Sequence, residues 1–224
     1  MKNIAKNLNI FFLLVLFISC NTKEKKNVIS ESEAIRIEKE KSEGTRTEIN
    51  CDSVYKNKGY TIVLETLNYN TDYDTYKVIF SILKNKQGKK NEIFRDTIES
   101  TVGDVGFSDY NNDGIKDILI QNISDVRSNW TYNLYLVNLK KDTFQKVKGF
   151  EQIKNPRYLP KYNLIDNEVM SGREWTSFYQ IQNDTIHDFG YVIEKGMNED
   201  GTYVDFDKEY KTTLQKVLKD KHYR

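Results

Sequence analysis

The chain of 224 residues balances 34 Lys+Arg against 33 Asp+Glu, and its net charge of +1 removes the electrostatic case for a nucleic-acid partner, which needs a basic face. Two His and two Cys exclude a zinc finger, a His-rich metal centre and a disulfide framework. An aromatic share of 12%, with 15 Tyr and 11 Phe, supplies enough apolar surface for a core despite 30% charged residues.

Lys2 and Lys6 precede an apolar run over 10–18, too short to cross a bilayer core but of the length found in a signal peptide. Ser19 then provides the small residue that a peptidase needs before its cut. Phe17, Ile18, Ser19 and Cys20 resemble a bacterial lipobox, with Phe17 where Leu is usual. The resemblance implies a lipoprotein signal peptide over 1–19, a mature chain that starts at Cys20, and lipid on Cys20 as a membrane anchor in the cell envelope or periplasm. An ordinary secretory signal with an incidental Cys20 is the other reading of these residues. Loss of Lys2 and Lys6, with no acid lost, takes the net charge from +1 to −1. Cys51 is then the only thiol without lipid; with no His and acid motif beside it, it reads as buried and inert.

Residues 20–53 read as a charged tether. Lys23, Lys25 and Lys26 come first, followed by a Glu/Lys-rich stretch in which Ile29, Ala34, Ile35 and Ile37 give a weak apolar face for a short helix over 30–41. Beyond Val54 the residues turn β-branched and aromatic in short runs. Strands are predicted at 60–67, 75–83, 93–98, 117–121, 132–138 and 176–181, the clearest alternation being in the last two. Turn chemistry separates them at 85–90, 140–142, 183–184 and 198–201. Residues 54–224 therefore read as one all-β domain, an antiparallel meander that is either a sandwich or a propeller-like array, with a possible short C-terminal helix over 209–219.

Asp109, Asn111, Asp113 and Asp117 occupy positions 1, 3, 5 and 9 of a segment that leads into an apolar strand. Oxygen side chains at this spacing can aim at one hard cation such as Ca²⁺, with the Ile115 carbonyl as the position-7 ligand and Gly114 allowing the sharp turn. Ile120 stands at position 12, where an EF-hand has its bidentate Glu, so a standard EF-hand is excluded. The segment resembles the calcium loop of FG-GAP and related β-propeller repeats, and the resemblance implies a structural role for the ion. The same residue types also make a hairpin turn without any ion.

Ser171, Gly172, Arg173, Glu174 and Trp175 combine a hydroxyl, a backbone open to close approach, a cation able to grip carboxylates and a large aromatic. They resemble the Ser-Gly loop of bacterial periplasmic lysozyme inhibitors, with Trp175 where Tyr would be expected. A plain β-turn with Trp175 in the core is the other reading.

Lipobox, single calcium-type loop and Ser-Gly loop, in that order, resemble a family of calcium-loop periplasmic lipoproteins. It includes inhibitors of invertebrate-type lysozyme and immunity proteins against secreted peptidoglycan hydrolases. The resemblance implies a propeller-like fold, structural Ca²⁺, and a lysozyme-type hydrolase as partner, which Ser171, Gly172, Arg173 and Trp175 would block. The alternative is a surface glycan- or protein-binding accessory lipoprotein, with Trp130, Tyr132 and Tyr135 stacking on sugars. Asn129 begins an acceptor triplet for glycosylation, incidental in a bacterial setting. His187 and His222 lie in no catalytic motif, and no Gly-rich phosphate loop is present, so no enzyme is expected.

Overall fold

A computed structural model describes residues 44–70, 75–100, 104–125, 127–172, 174–197 and 201–223. Among the described residues twelve strands form three antiparallel sheets of four. The first sheet holds β1 (Arg46–Asn50), β2 (Tyr60–Asn70), β3 (Thr75–Lys86) and β4 (Lys89–Ser100). The second holds β5 (Val105–Ser108), β6 (Asp117–Ser124), β7 (Trp130–Asn138) and β8 (Thr143–Lys146). The third holds β9 (Arg157–Leu159), β10 (Leu164–Asp166), β11 (Glu174–Gln182) and β12 (Thr185–Lys195), and the α-helix α1 (Phe206–Leu218) follows. Within each sheet consecutive strands pair, so each sheet is a meander and the all-β expectation holds.

The alternation of side chains along β6, β10 and β11 sets how the layers stack. Ile118 and Ile120 on β6 face the first sheet, joining Ile62, Phe80 and Tyr135 in one buried cluster, while Leu119 between them faces the third sheet with Leu134, Ile165 and Tyr179. On β10 and β11, Leu164 and Phe178 turn the opposite way, toward Leu214 and Val217 of the helix. The order is therefore first sheet, second sheet, third sheet, helix, and the second sheet is apolar on both faces. The first interface is an aromatic one: Phe80 and Tyr135 lie 4.7 Å apart, and Phe94 packs on Tyr135 at 5.6 Å and on Phe144 at 5.7 Å.

Polar pins fasten the layers. The Tyr135 hydroxyl donates to Asp96 Oδ2 at 2.8 Å, and Ser100 Oγ donates to the Gln121 carbonyl at 2.6 Å. The buried Asp166 carboxylate takes Arg157 through two nitrogens, at 2.9 and 2.5 Å, and the Tyr210 hydroxyl at 2.6 Å, which ties α1 to the third sheet.

Two boundaries differ from the sequence expectation. Arg46–Asn50 lies in the stretch assigned to the tether, yet it forms β1, pairing from Arg46↔Glu65 to Asn50↔Thr61, and Cys51 behind it is buried in the core. An edge strand with mostly exposed residues carries no apolar alternation, which is why RTEIN reads as linker. The helix starts ahead of 209 because Asp205 caps it, accepting the Lys208 N–H at 3.2 Å. The signal segment, Cys20, the predicted helix over 30–41, Arg173 and most of the 198–201 turn lie outside the described residues.

Candidate functional site

The β5–β6 connection is folded by its own side chains. Asp109 accepts the N–H groups of Asn111 at 3.2 Å and Gly114 at 2.9 Å; Asn111 accepts that of Asp113 at 3.1 Å, and Asp113 that of Ile115 at 2.8 Å. Asn112 and Gly114 take positive φ, 58° and 80°, at the turn. Asp117 is fully buried at the start of β6, and its two oxygens accept the N–H groups of Tyr110 and Val137 at 2.8 and 3.0 Å. Burial is the main force raising its pKa, to about 7, with the nearby charges of Asp113 and Asp109 adding to it and the two backbone donors opposing. The loop is fixed at its flanks by Tyr55, whose hydroxyl donates to the Lys116 carbonyl at 2.8 Å, and by Tyr110, whose hydroxyl reaches the Pro156 carbonyl at 3.2 Å.

Asp109, Asn111 and Asp113 thus share one tight loop, and Asp117 stands behind it near enough to feel both carboxylates. Among the described residues no group of three or more His, Cys, Asp or Glu side chains converges as metal ligands do. The same residues draw no cation either: none of the three Asp is in a salt bridge with a described residue. Asp109, Asn111, Asp113, Asp117 and the Ile115 carbonyl could offer a metal oxygen atoms alone, the ligand type of a hard cation.

The β10–β11 loop lies at the other end of β6, beside the β6–β7 turn. Val169 and Trp175 bond to each other through both main-chain pairs, N–H of Val169 to the Trp175 carbonyl at 2.9 Å and the reverse at 3.3 Å. Trp175, half-buried and also paired with Glu194, therefore sits at the base of the loop. Ser171 and Gly172 form its exposed tip, and a Cβ on Gly172 would meet nothing within 4 Å. The sequence expectation groups Trp175 with Ser171; the pairing places Trp175 in the stem of the hairpin, with Ser171 beyond it.

Asn129 is the residue that sequence reasoning missed. Its buried amide accepts the Met170 N–H at 2.8 Å and donates to the Met170 carbonyl at 2.7 Å and to both Asp125 oxygens at 3.0 and 2.8 Å. Asn155 extends the network, exchanging bonds with the Trp130 main chain and donating to the Glu168 carbonyl at 2.8 Å. The Asn129 side chain, with the N–H groups of Asn129 and Arg127 and the Lys154 ammonium, holds the Asp125 carboxyl well below the usual range. Nothing in one sequence distinguishes such an Asn from a solvated one in an acceptor triplet.

The three aromatics of the glycan alternative separate. Tyr135 is wholly buried and hydrogen-bonded to Asp96, Tyr132 packs on the cluster between the second and third sheets, and Trp130 alone is exposed. Tyr135 therefore offers no face to a sugar, because the apolar side of β7 at that position belongs to the core. His187 and His222 lie ring against ring at 5.2 Å, with Phe189 on His187. Among the described residues no helix is long and apolar enough to cross a membrane. No family model, curated protein or solved structure matches the chain.

Proposed function

We propose that this is an exported bacterial lipoprotein, anchored through lipid on Cys20, that binds and blocks a lysozyme-type peptidoglycan hydrolase through the tip of the β10–β11 loop. The observation that carries the reading is the exposed Ser171–Gly172 tip on a base fixed by Asn129, Val169 and Trp175. A loop whose base is hydrogen-bonded before contact loses less entropy on docking, which is what an inhibitor that fills a cleft requires. Lysozyme-type enzymes present two carboxyl groups across the scissile bond, and the Ser171 hydroxyl and the Arg173 guanidinium are the groups that would occupy them. Clearing of a peptidoglycan suspension by lysozymes, with and without the chain, tests the reading.

Calcium belongs to the same proposal as a structural ion. Asp109, Asn111, Asp113, Asp117 and the Ile115 carbonyl would hold it, and it would supply the countercharge that their carboxylates lack. Its contribution is to the order of the β5–β6 end of the second sheet. No catalytic role is assigned to any residue of either loop.

A second reading has one observation in its favour: Trp130 is exposed next to the Asn129 staple, as a sugar-stacking ring would be. Glycan binding that is lost in Trp130→Ala, with no effect on any lysozyme, would favour the accessory role.

A further inference from the structure

The chain has two His residues, and the fold brings them together. His187 lies on β12, on the side that carries Phe189, Tyr191 and Ile193 toward α1, as the period of two in a strand requires. His222 comes after α1, and its ring lies 5.2 Å from that of His187, centre to centre, with the two planes at 42°. The Phe189 ring packs on His187 at 4.8 Å, edge to face. The pair is thus the polar end of the interface between the third sheet and the helix.

The main chain beneath both rings is held in place. Gln182 Nε2 donates to the His222 carbonyl at 2.6 Å, the His222 N–H donates to Asp220 Oδ1 at 2.8 Å, and the Tyr223 hydroxyl donates to the Tyr162 carbonyl at 2.9 Å. His187 is fixed in the ladder opposite Gln180. The ring nitrogens are not used in this way: none of them bonds to a described residue. The charged groups close to them in the chain have other partners or face water. Asp184 pairs with Lys148, Asp188 accepts the Gly190 N–H, and Lys221 is exposed.

Imidazole nitrogens without another partner are ligands for divalent ions of the zinc, copper and nickel class, and the oxygen-seeking Ca²⁺ passes them over. A tetrahedral ion about 2.0–2.1 Å from one nitrogen of each ring sets the ring centres roughly 5 Å apart, which is the spacing found. A His ring turns easily about its outer torsion, so its nitrogens can be aimed at such an ion while the main chain stays in place.

We propose that His187 and His222 form a two-histidine site for a divalent transition ion of the zinc class. Among the described residues no third His, Cys, Asp or Glu joins them, so water completes the coordination. The bound ion ties the C-terminal segment to β12 and closes the helix against the third sheet. The site shares no residue with the β5–β6 loop, and it stands independently of the Ser171–Gly172 tip.

The test follows the imidazole Hε1 proton signals of the full chain in detergent micelles, held in excess Ca²⁺, as Zn²⁺ is added. With two His in the chain, two signals report the site. Both are expected to shift together and to saturate below about 1 mM Zn²⁺, and amide exchange over 219–223 is expected to slow. His187→Gln and His222→Gln, each checked for an unchanged fold, are expected to raise the Kd at the remaining ring by about tenfold or more, because one ligand then acts without the other. Asp113→Ala is expected to respond as wild type does. No shift up to about 1 mM, a shift of one ring alone, or a response that survives in both Gln variants overturns the site. So does a response that disappears in Asp113→Ala, which would place the ion in the β5–β6 loop.

Discussion

Asn129 holds both main-chain groups of Met170, with Oδ1 accepting its N–H at 2.8 Å and Nδ2 donating to its carbonyl at 2.7 Å. A side-chain amide here does what a neighbouring strand would do, and it fixes the start of the β10–β11 loop from a turn 41 residues away in the chain. Replacement by Ala leaves Met170 and Asp125 short of partners in a half-buried setting. Asn129→Ala is predicted to cost about 1–3 kcal/mol in urea unfolding and to speed amide exchange over 168–175. Unchanged exchange there would mean that Val169 and Trp175 hold the loop alone.

Acid should act on the first sheet through Asp142. Lys84 Nζ, 2.6 Å from Asp142 Oδ2, and the Tyr60 hydroxyl hold this carboxyl below its ordinary value. A folded-state pKa below the unfolded one gives stability that is complete above the unfolded value of about 3.9 and is lost as pH falls through the folded value. Asp142→Asn is therefore predicted to melt at a lower temperature than wild type at pH 7, with the two curves converging as pH falls through the folded-state value. A gap that stays constant down to pH 2 would assign the loss to packing and not to the ion pair.

Calcium makes the β5–β6 loop testable by itself. Thermal melts in excess Ca²⁺ and in EDTA are predicted to differ by several degrees, as mass action on a folded-state site requires, and Asp113→Ala should abolish the difference. Equal melting points in both, with Asp113→Ala neutral, would leave a turn held by its own Asp and Asn side chains.

The interface between the first and second sheets is predicted to be the most sensitive to truncation. Phe80 is wholly buried, 4.7 Å from Tyr135 and 5.6 Å from Phe94, so Phe80→Ala removes a ring that other rings cannot replace. The expected loss in chemical denaturation is about 3–5 kcal/mol, against less than about 0.5 for a change at the exposed Lys86.

Much of the strand content was legible because β2, β3, β7 and β11 are long enough to show their alternation. The short strands were not: β9 and β10 have three residues each and β5 has four, too few for a period of two to stand out. The partition into three sheets left no trace either, since their strands differ in length and share no repeated sequence. The layer order rests on which way Ile118 and Leu119 point, and both are simply apolar in the sequence. At the candidate site, Asp109 to Asp117 announced a tight loop through spacing alone. The second loop announced its tip, Ser171 and Gly172, but not its support, because Asn129 and Asn155 act through the fold and not through any local pattern.

The central claim, that the Ser171–Gly172 tip blocks a lysozyme-type hydrolase, is met most directly by the initial rate at which chicken-, goose- and invertebrate-type lysozymes clear a peptidoglycan suspension in the presence of the full chain. Gly172→Trp is the paired control, because a Cβ there has open space and the fold should be untouched. The account predicts that wild type suppresses clearing by at least one of these enzymes and that Gly172→Trp, with the same melting point, restores it. Protection by neither protein, or equal protection by both, would contradict it.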